Sequence, residues 1–129
     1  MTNPDSPTTD QRKVLVIDDD ALIARLLKRG LGREHNVSVV HRGALALELL
    51  AAGETFDVIF CDLMMPEMNG MELHAEIERR WPVAAESMIF LTGAVFTTAG
   101  QEFFKRVQNR CVYKPFDLKM LSALVHATG

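Results

Sequence analysis

Apolar, β-branched runs alternate five times with stretches of helical period along the chain. The runs are KVLVI (13–17), NVSVV (36–40), DVIFC (57–61), SMIFL (87–91) and the short CVY (111–113). Segments near 20–32, 44–52, 70–80, 97–108 and 117–127 repeat their apolar positions at helical spacing. Strict alternation with connections this short predicts an α/β fold: a doubly wound, five-stranded parallel sheet carrying five helices on its two faces. VLVI, VIFC and MIFL are apolar on both parities, as strands covered on both faces must be, so they belong in the centre. NVSVV is interrupted by Ser38 and CVY is very short; these two are expected at the edges.

Local signals refine this outline. Thr98 and Gln101 have capping-box spacing for the fourth helix. Gly53 in GETFD stops the second helix. Asp20 and Asp117 are placed to cap the first and last helices, and Pro66 with the pair Asn69-Gly70 to set a turn. Asp57 opens the third strand, where it should be simply solvated. Residues 1–11, MTNPDSPTTDQ, are polar and proline-bearing, which predicts a disordered tail or linker before a single domain over 12–129.

Composition narrows the function classes. The chain has 129 residues, 48% hydrophobic and 24% charged, enough for one domain with a real core. A net charge of −3 gives no electrostatic case for nucleic acid or for membrane contact by this domain. The basic pairs Arg79-Arg80 and Lys105-Arg106 read as solvated helix faces. Cys61 and Cys111 read as small buried hydrophobes, and His35, His41, His74 and His126 show no metal-ligand spacing. No apolar run reaches the length of a membrane span and no signal-peptide pattern opens the chain, so a cytoplasmic location is expected.

The chemistry collects where an open parallel sheet keeps it, beyond the carboxyl ends of the strands. The first strand ends in Asp18-Asp19-Asp20, the third in Asp62, the fourth in Thr92-Gly93 and the fifth in Lys114-Pro115. Two carboxylates about 5 Å apart repel by about 3 kcal/mol at an effective dielectric near 20, which one lysine does not offset. A hard divalent cation does, and carboxylates with a backbone carbonyl suit Mg²⁺, with Mn²⁺ as the alternative. With the cation bound, an aspartate oxygen becomes a nucleophile toward phosphorus, with Thr92 and Lys114 placed for the transferring oxygens. The set lacks parts for hydrolytic or redox chemistry and is complete for an aspartyl phosphate.

VLVIDDD, DVIFCDLMMPEMNG, MIFLTGA and CVYKPFD, in this order, resemble the receiver domain of two-component response regulators. Asp19 and Asp62 are 43 residues apart, Asp62 and Thr92 are 30, and Thr92 and Lys114 are 22, all ordinary for that family. The resemblance covers about residues 12 to 127 and implies a flavodoxin-like sheet in the order 2-1-3-4-5. It makes Asp62 the phosphoacceptor, Asp18 and Asp19 the Mg²⁺-holding pair, and Met64 a ligand through its backbone carbonyl. Thr92 becomes the hydroxyl that turns toward the phosphoryl group and Lys114 its cationic partner, with Lys114-Pro115 often cis in the family. The implied donor is a phosphohistidine on a sensor histidine kinase or a histidine phosphotransfer domain, and a homodimer stays open. The chain would then be a phosphoacceptor signalling domain rather than an enzyme, promoting only its own phosphorylation and dephosphorylation. Three residues before the lysine the family carries Tyr or Phe as the switch partner of the threonine; this chain has Cys111. Tyr113 shares the parity of Cys111, but two residues further on it falls at the rim.

TGAVFTTAGQEFFKRVQNRCVYKPFDLKML also resembles receivers at the carboxyl end of hybrid sensor kinases, so a hybrid-kinase module or a single-domain regulator without DNA-binding output is expected. A haloacid-dehalogenase-like phosphatase would need a second aspartate where Met64 stands. A pseudo-receiver, a pure interaction module, would lack the acids or Lys114, and all are present. Met64 and Ala94 offer no group to position an attacking water, which predicts slow loss of the phosphoryl group.

Overall fold

The computed structural model describes residues 11–93 and 97–128. The expected tail, apart from Gln11, and Ala94 lie outside the described residues. Five strands, β1 (Lys13–Ile17), β2 (Asn36–Val40), β3 (Val58–Asp62), β4 (Met88–Thr92) and β5 (Cys111–Tyr113), form one all-parallel sheet in the order β2-β1-β3-β4-β5. That is the flavodoxin-like order, with the edge and centre assignments as expected. β3 and β4 are buried throughout, whereas β2 is largely half-buried and β5 runs from half-buried Cys111 through buried Val112 to exposed Tyr113.

Six helices cover the sheet: α1 (Ala21–Leu31), α2 (Gly43–Ala51), α3 (Gly70–Arg80), α4 (Pro82–Glu86), α5 (Thr98–Arg106) and α6 (Leu118–Ala127). Five were expected. The extra one, α4, is five residues long, too short to show a helical period, and starts with Pro82 in its first turn, where a missing amide costs nothing. The two-residue period of the strands builds two cores. Leu15, Ile17, Ile59, Cys61, Met88 and Phe90 face α2, α3, α4 and α5. Val14, Val16, Val58, Phe60, Ile89 and Leu91 face α1 and α6. Gly30 brings α1 and α6 together: a Cβ there would stand 2.8 Å from Leu118 Cδ1.

Local chemistry sets the helix ends and the strand starts, with three departures from expectation. Asp20 caps α1 by accepting from the amides of Leu22 (3.0 Å) and Ile23 (3.3 Å), and Asp117 caps α6 from Lys119 (2.8 Å), both as expected. The cap of α5 is Thr97, which accepts from Gly100, so Thr98 sits inside the helix and its box with Gln101 does not form. The capping box is instead at α3, where Asn69 and Glu72 exchange bonds of 2.9 and 3.0 Å; Asn69 starts a helix rather than simply turning the chain. Asp57, expected to be only solvated, accepts the Lys13 amide at 2.8 Å while its own amide donates to Lys13 O at 2.8 Å, locking the start of β1 to β3.

Arg79 and Arg80 pair with Glu76 within α3, and Lys105 with Glu102 within α5, each pair on its own helix surface as expected. Both cysteines are free; Cys61 is buried, but Cys111 is only half-buried because β5 is an edge. Burial pushes both thiols up, Cys61 further with help from the charges of Asp62 and Asp18. Among the described residues no helix is long and apolar enough to cross a membrane.

Candidate functional site

Three strand ends and one loop build a single acidic rim. β1 runs out into Asp18, which is fully buried, and then into Asp19, which is exposed. β3 ends in Asp62, only 6% exposed. Ligand oxygens of Asp18, Asp19 and Asp62 lie within 4.8 Å of one another. Lys114, just past β5, reaches this group from the far side of the sheet. Its Nζ is 3.3 Å from Asp18 Oδ2 and 3.7 Å from Asp62 Oδ1. The Lys114–Pro115 bond is cis, as the resemblance implies.

The surroundings position each carboxylate closely. Asp18 Oδ1 accepts the Asp20 amide at 2.9 Å and Oδ2 accepts from Lys114 at 3.3 Å. Asp62 Oδ1 accepts the Met64 amide at 3.3 Å. Met64 has its amide on Asp62 and its side chain 47% exposed. Thr92 is buried at the end of β4, and its carbonyl accepts the Lys114 amide at 2.7 Å, which anchors the lysine. The loop after β3 crosses Glu67 at φ +69°, with the Met68 amide donating to Pro66 O at 2.7 Å, a tight turn in a backbone region unfavourable for a side chain. Gly70 follows because nothing larger fits: a Cβ there would meet Asp62 O at 2.9 Å.

The electrostatic result is a site short of positive charge. Burial, followed by the charge of Asp18, pushes Asp62 up to about 7, against the opposing influence of Lys114 and the Met64 amide; a hydrogen bond with Asp19 also raises it. The oxygen-only donor set, with Asp18 and Asp62 buried and Asp19 exposed, matches the preference of a hard divalent cation.

The structure therefore brings Asp18, Asp19, Asp62 and Lys114 together, and places Thr92 at the end of the strand next to Asp62. Cys111 lies one layer below, opposite Phe90, and packs against the core with Phe103 and Phe104. Tyr113 is opposite Thr92 and 55% exposed, at the rim, as its position along β5 requires. Two contributions escaped the sequence reading. His41, just after β2, places Nδ1 3.0 Å from Asp18 O. Glu34, His35 and His126 also come within 4.8 Å of one another at the opposite end of the sheet. There His35 Nδ1 accepts the Arg12 amide at 3.1 Å, so the ring proton of the neutral imidazole is on Nε2, an arrangement for clamping chain ends rather than for ligating a metal.

A model of the response regulator receiver domain family matches residues 14–126. The chain is 29% identical over 116 residues to a probable cyclic di-GMP phosphodiesterase of Vibrio cholerae, covering 90% of this chain and 26% of that protein. It is 28% identical over 116 residues to the aerobic respiration control sensor protein ArcB of Escherichia coli, covering 87% of this chain and 14% of that protein. It thus spans a small part of either relative. Among solved structures, a Francisella response regulator receiver domain superposes with a TM-score of 0.74 at 29% identity, covering 88% of this chain and 93% of that one.

Proposed function

The chain belongs to the response regulator receiver domain family, and we propose that Asp62 is its phosphoacceptor in a two-component phosphorelay. The observation that carries this reading is the meeting of Asp18, Asp19 and Asp62 within 4.8 Å, with Lys114 3.7 Å from Asp62. A phosphohistidine on a sensor histidine kinase or a histidine phosphotransfer domain is the donor. An Asp62 oxygen attacks phosphorus while the phosphorus–nitrogen bond breaks, its electron pair leaving with the imidazole, which takes up a proton. Lys114 faces the charge that develops on the phosphoryl oxygens, and the Thr92 hydroxyl donates to one of them. Asp18, Asp19, Asp62 and the Met64 carbonyl would hold Mg²⁺ or Mn²⁺. The cation supplies the positive charge that lets clustered carboxylates and a phosphoryl group share one rim. Asp18, gripped by the Asp20 amide and Lys114, keeps the rim's geometry while Asp62 reacts.

The module is a phosphoacceptor rather than an enzyme with an external substrate. We place it as the receiver of a hybrid sensor kinase. Supporting this are the TGAVF…NRCVYKPF pattern and the similarity to ArcB, which is named a sensor protein. In the test, the chain is incubated with acetyl phosphate or a phosphorylated kinase. One Mg²⁺-dependent, hydroxylamine-labile phosphoryl group per chain is expected, and Asp62→Asn should lose it entirely. Labelling of Asp62→Asn at the parent's level would show that the nucleophile is elsewhere.

A further inference from the structure

We propose that His41 is a positioning residue for the acidic rim, orienting the peptide that joins Asp18 to Asp19. This rests on reading the rim as a cation site. The parallel pairing of β1 and β2 ends with Ile17 opposite Val40. One step on, the Asp18 amide still donates to Val40 O at 3.1 Å. The hydrogen bond to Asp18 O then comes from a side chain: His41 Nδ1, at 3.0 Å. A carbonyl only accepts, so Nδ1 carries the proton and donates.

That contact matters because a peptide unit is planar. Asp18 C=O and Asp19 N–H belong to the same plane, so a donor that fixes the carbonyl also fixes where the Asp19 backbone begins. Asp18 is already held through its amide and both carboxylate oxygens. Asp19 is the exposed member of the three acids, and its separation from Asp18 and Asp62 depends on the tilt of that plane. His41 thus acts through Asp18 on the spacing of the donor set and touches neither phosphoryl group nor cation. Its anchorage on edge strand β2 lets the rim's geometry be set from outside the strands that carry the acids.

Two measurements test this. In long-range ¹H–¹⁵N spectra of the metal-free chain at pH 8, His41 should show a protonated Nδ1 and an unprotonated Nε2. The reverse pattern would overturn the proposal without any variant. Second, Mg²⁺ affinity is read from the amide shifts of Asp19 and Asp20. His41→Ala should weaken it about fivefold, the equivalent of one neutral hydrogen bond. His41→Asn, whose side-chain amide can donate, should stay within about twofold of the parent. Parental affinity in His41→Ala, or equal weakening in His41→Asn, overturns the positioning role. If the parent itself binds no Mg²⁺, the cation reading of the rim falls, and this proposal with it.

Discussion

At the amino ends of the strands, charged and polar side chains find partners. Lys13 pairs with Glu54 at 3.2 Å and gives its amide to Asp57. His126 meets Glu34 at 2.9 Å, and the Arg12 guanidinium donates to Thr128 O at 2.8 Å, tying the end of α6 to the start of β1. At the carboxyl ends, three carboxylates cluster while Lys114 reaches two of them, Asp18 and Asp62, and Asp62 is pushed up to about 7. One end of the sheet is arranged for the stability of the isolated chain. The other crowds like charges together and perturbs Asp62, the kind of place where proteins keep chemistry more often than support.

Neutralising one charge at each end should therefore have opposite signs. The largest effect is expected at Asp62. Its folded value of about 7 lies above the ordinary carboxylate range, so the folded state loses stability as pH rises from near 4 through 7 and stays penalised above. In EDTA, Asp62→Asn should be more stable than the parent at pH 8 by about 2–4 kcal/mol, with the gain vanishing near pH 4. Urea unfolding at the two pH values measures it; a destabilised variant at pH 8 would break the contrast. At the other end, Asp57→Ala should destabilise by about 1 kcal/mol through loss of the bond to the Lys13 amide, while Asp57→Asn keeps an acceptor and most of the stability. Phosphorylation should be unchanged in both. The smallest effect is expected for Lys13 and Glu54, which are 45% and 49% exposed. A double-mutant cycle should find a coupling of at most about 0.5 kcal/mol, fading in 1 M salt; a larger, salt-resistant coupling would mean the amino end is tighter than its exposure suggests.

Local pattern carried the fold a long way. Strands buried on both faces announce themselves by apolar residues at both parities, which marks VLVI, VIFC and MIFL as central without any contact information. The rim residues were legible because fold logic sends strand ends to one edge. What escaped was either too short or too distant. α4 has too few residues to show a period. Thr97 and Thr98 are adjacent and chemically equal as caps, and only the actual helix start separates them. Asp57 with Lys13, 44 residues apart, and His41 with Asp18, 23 apart, are pairings that register decides and neither local window contains. In sequence Cys111 reads as a small buried hydrophobe, yet it is only half-buried because its edge strand is three residues long.

Gly70 gives the neighbourhood of Asp62 a mechanical character. The helix that follows Asp62 begins almost on its backbone: the Gly70 amide donates to Leu63 O at 2.8 Å, and the missing Cβ would meet Asp62 O at 2.9 Å. There is thus no flexible side chain at this point between the strand end and the first turn of α3 to absorb a displacement by changing rotamer. Close-packed backbone yields little to compression, so a shift of the β3 terminus toward α3 would be handed on as a shove rather than dissipated as a wobble. Any such movement would leave the rim through the skeleton of the chain itself.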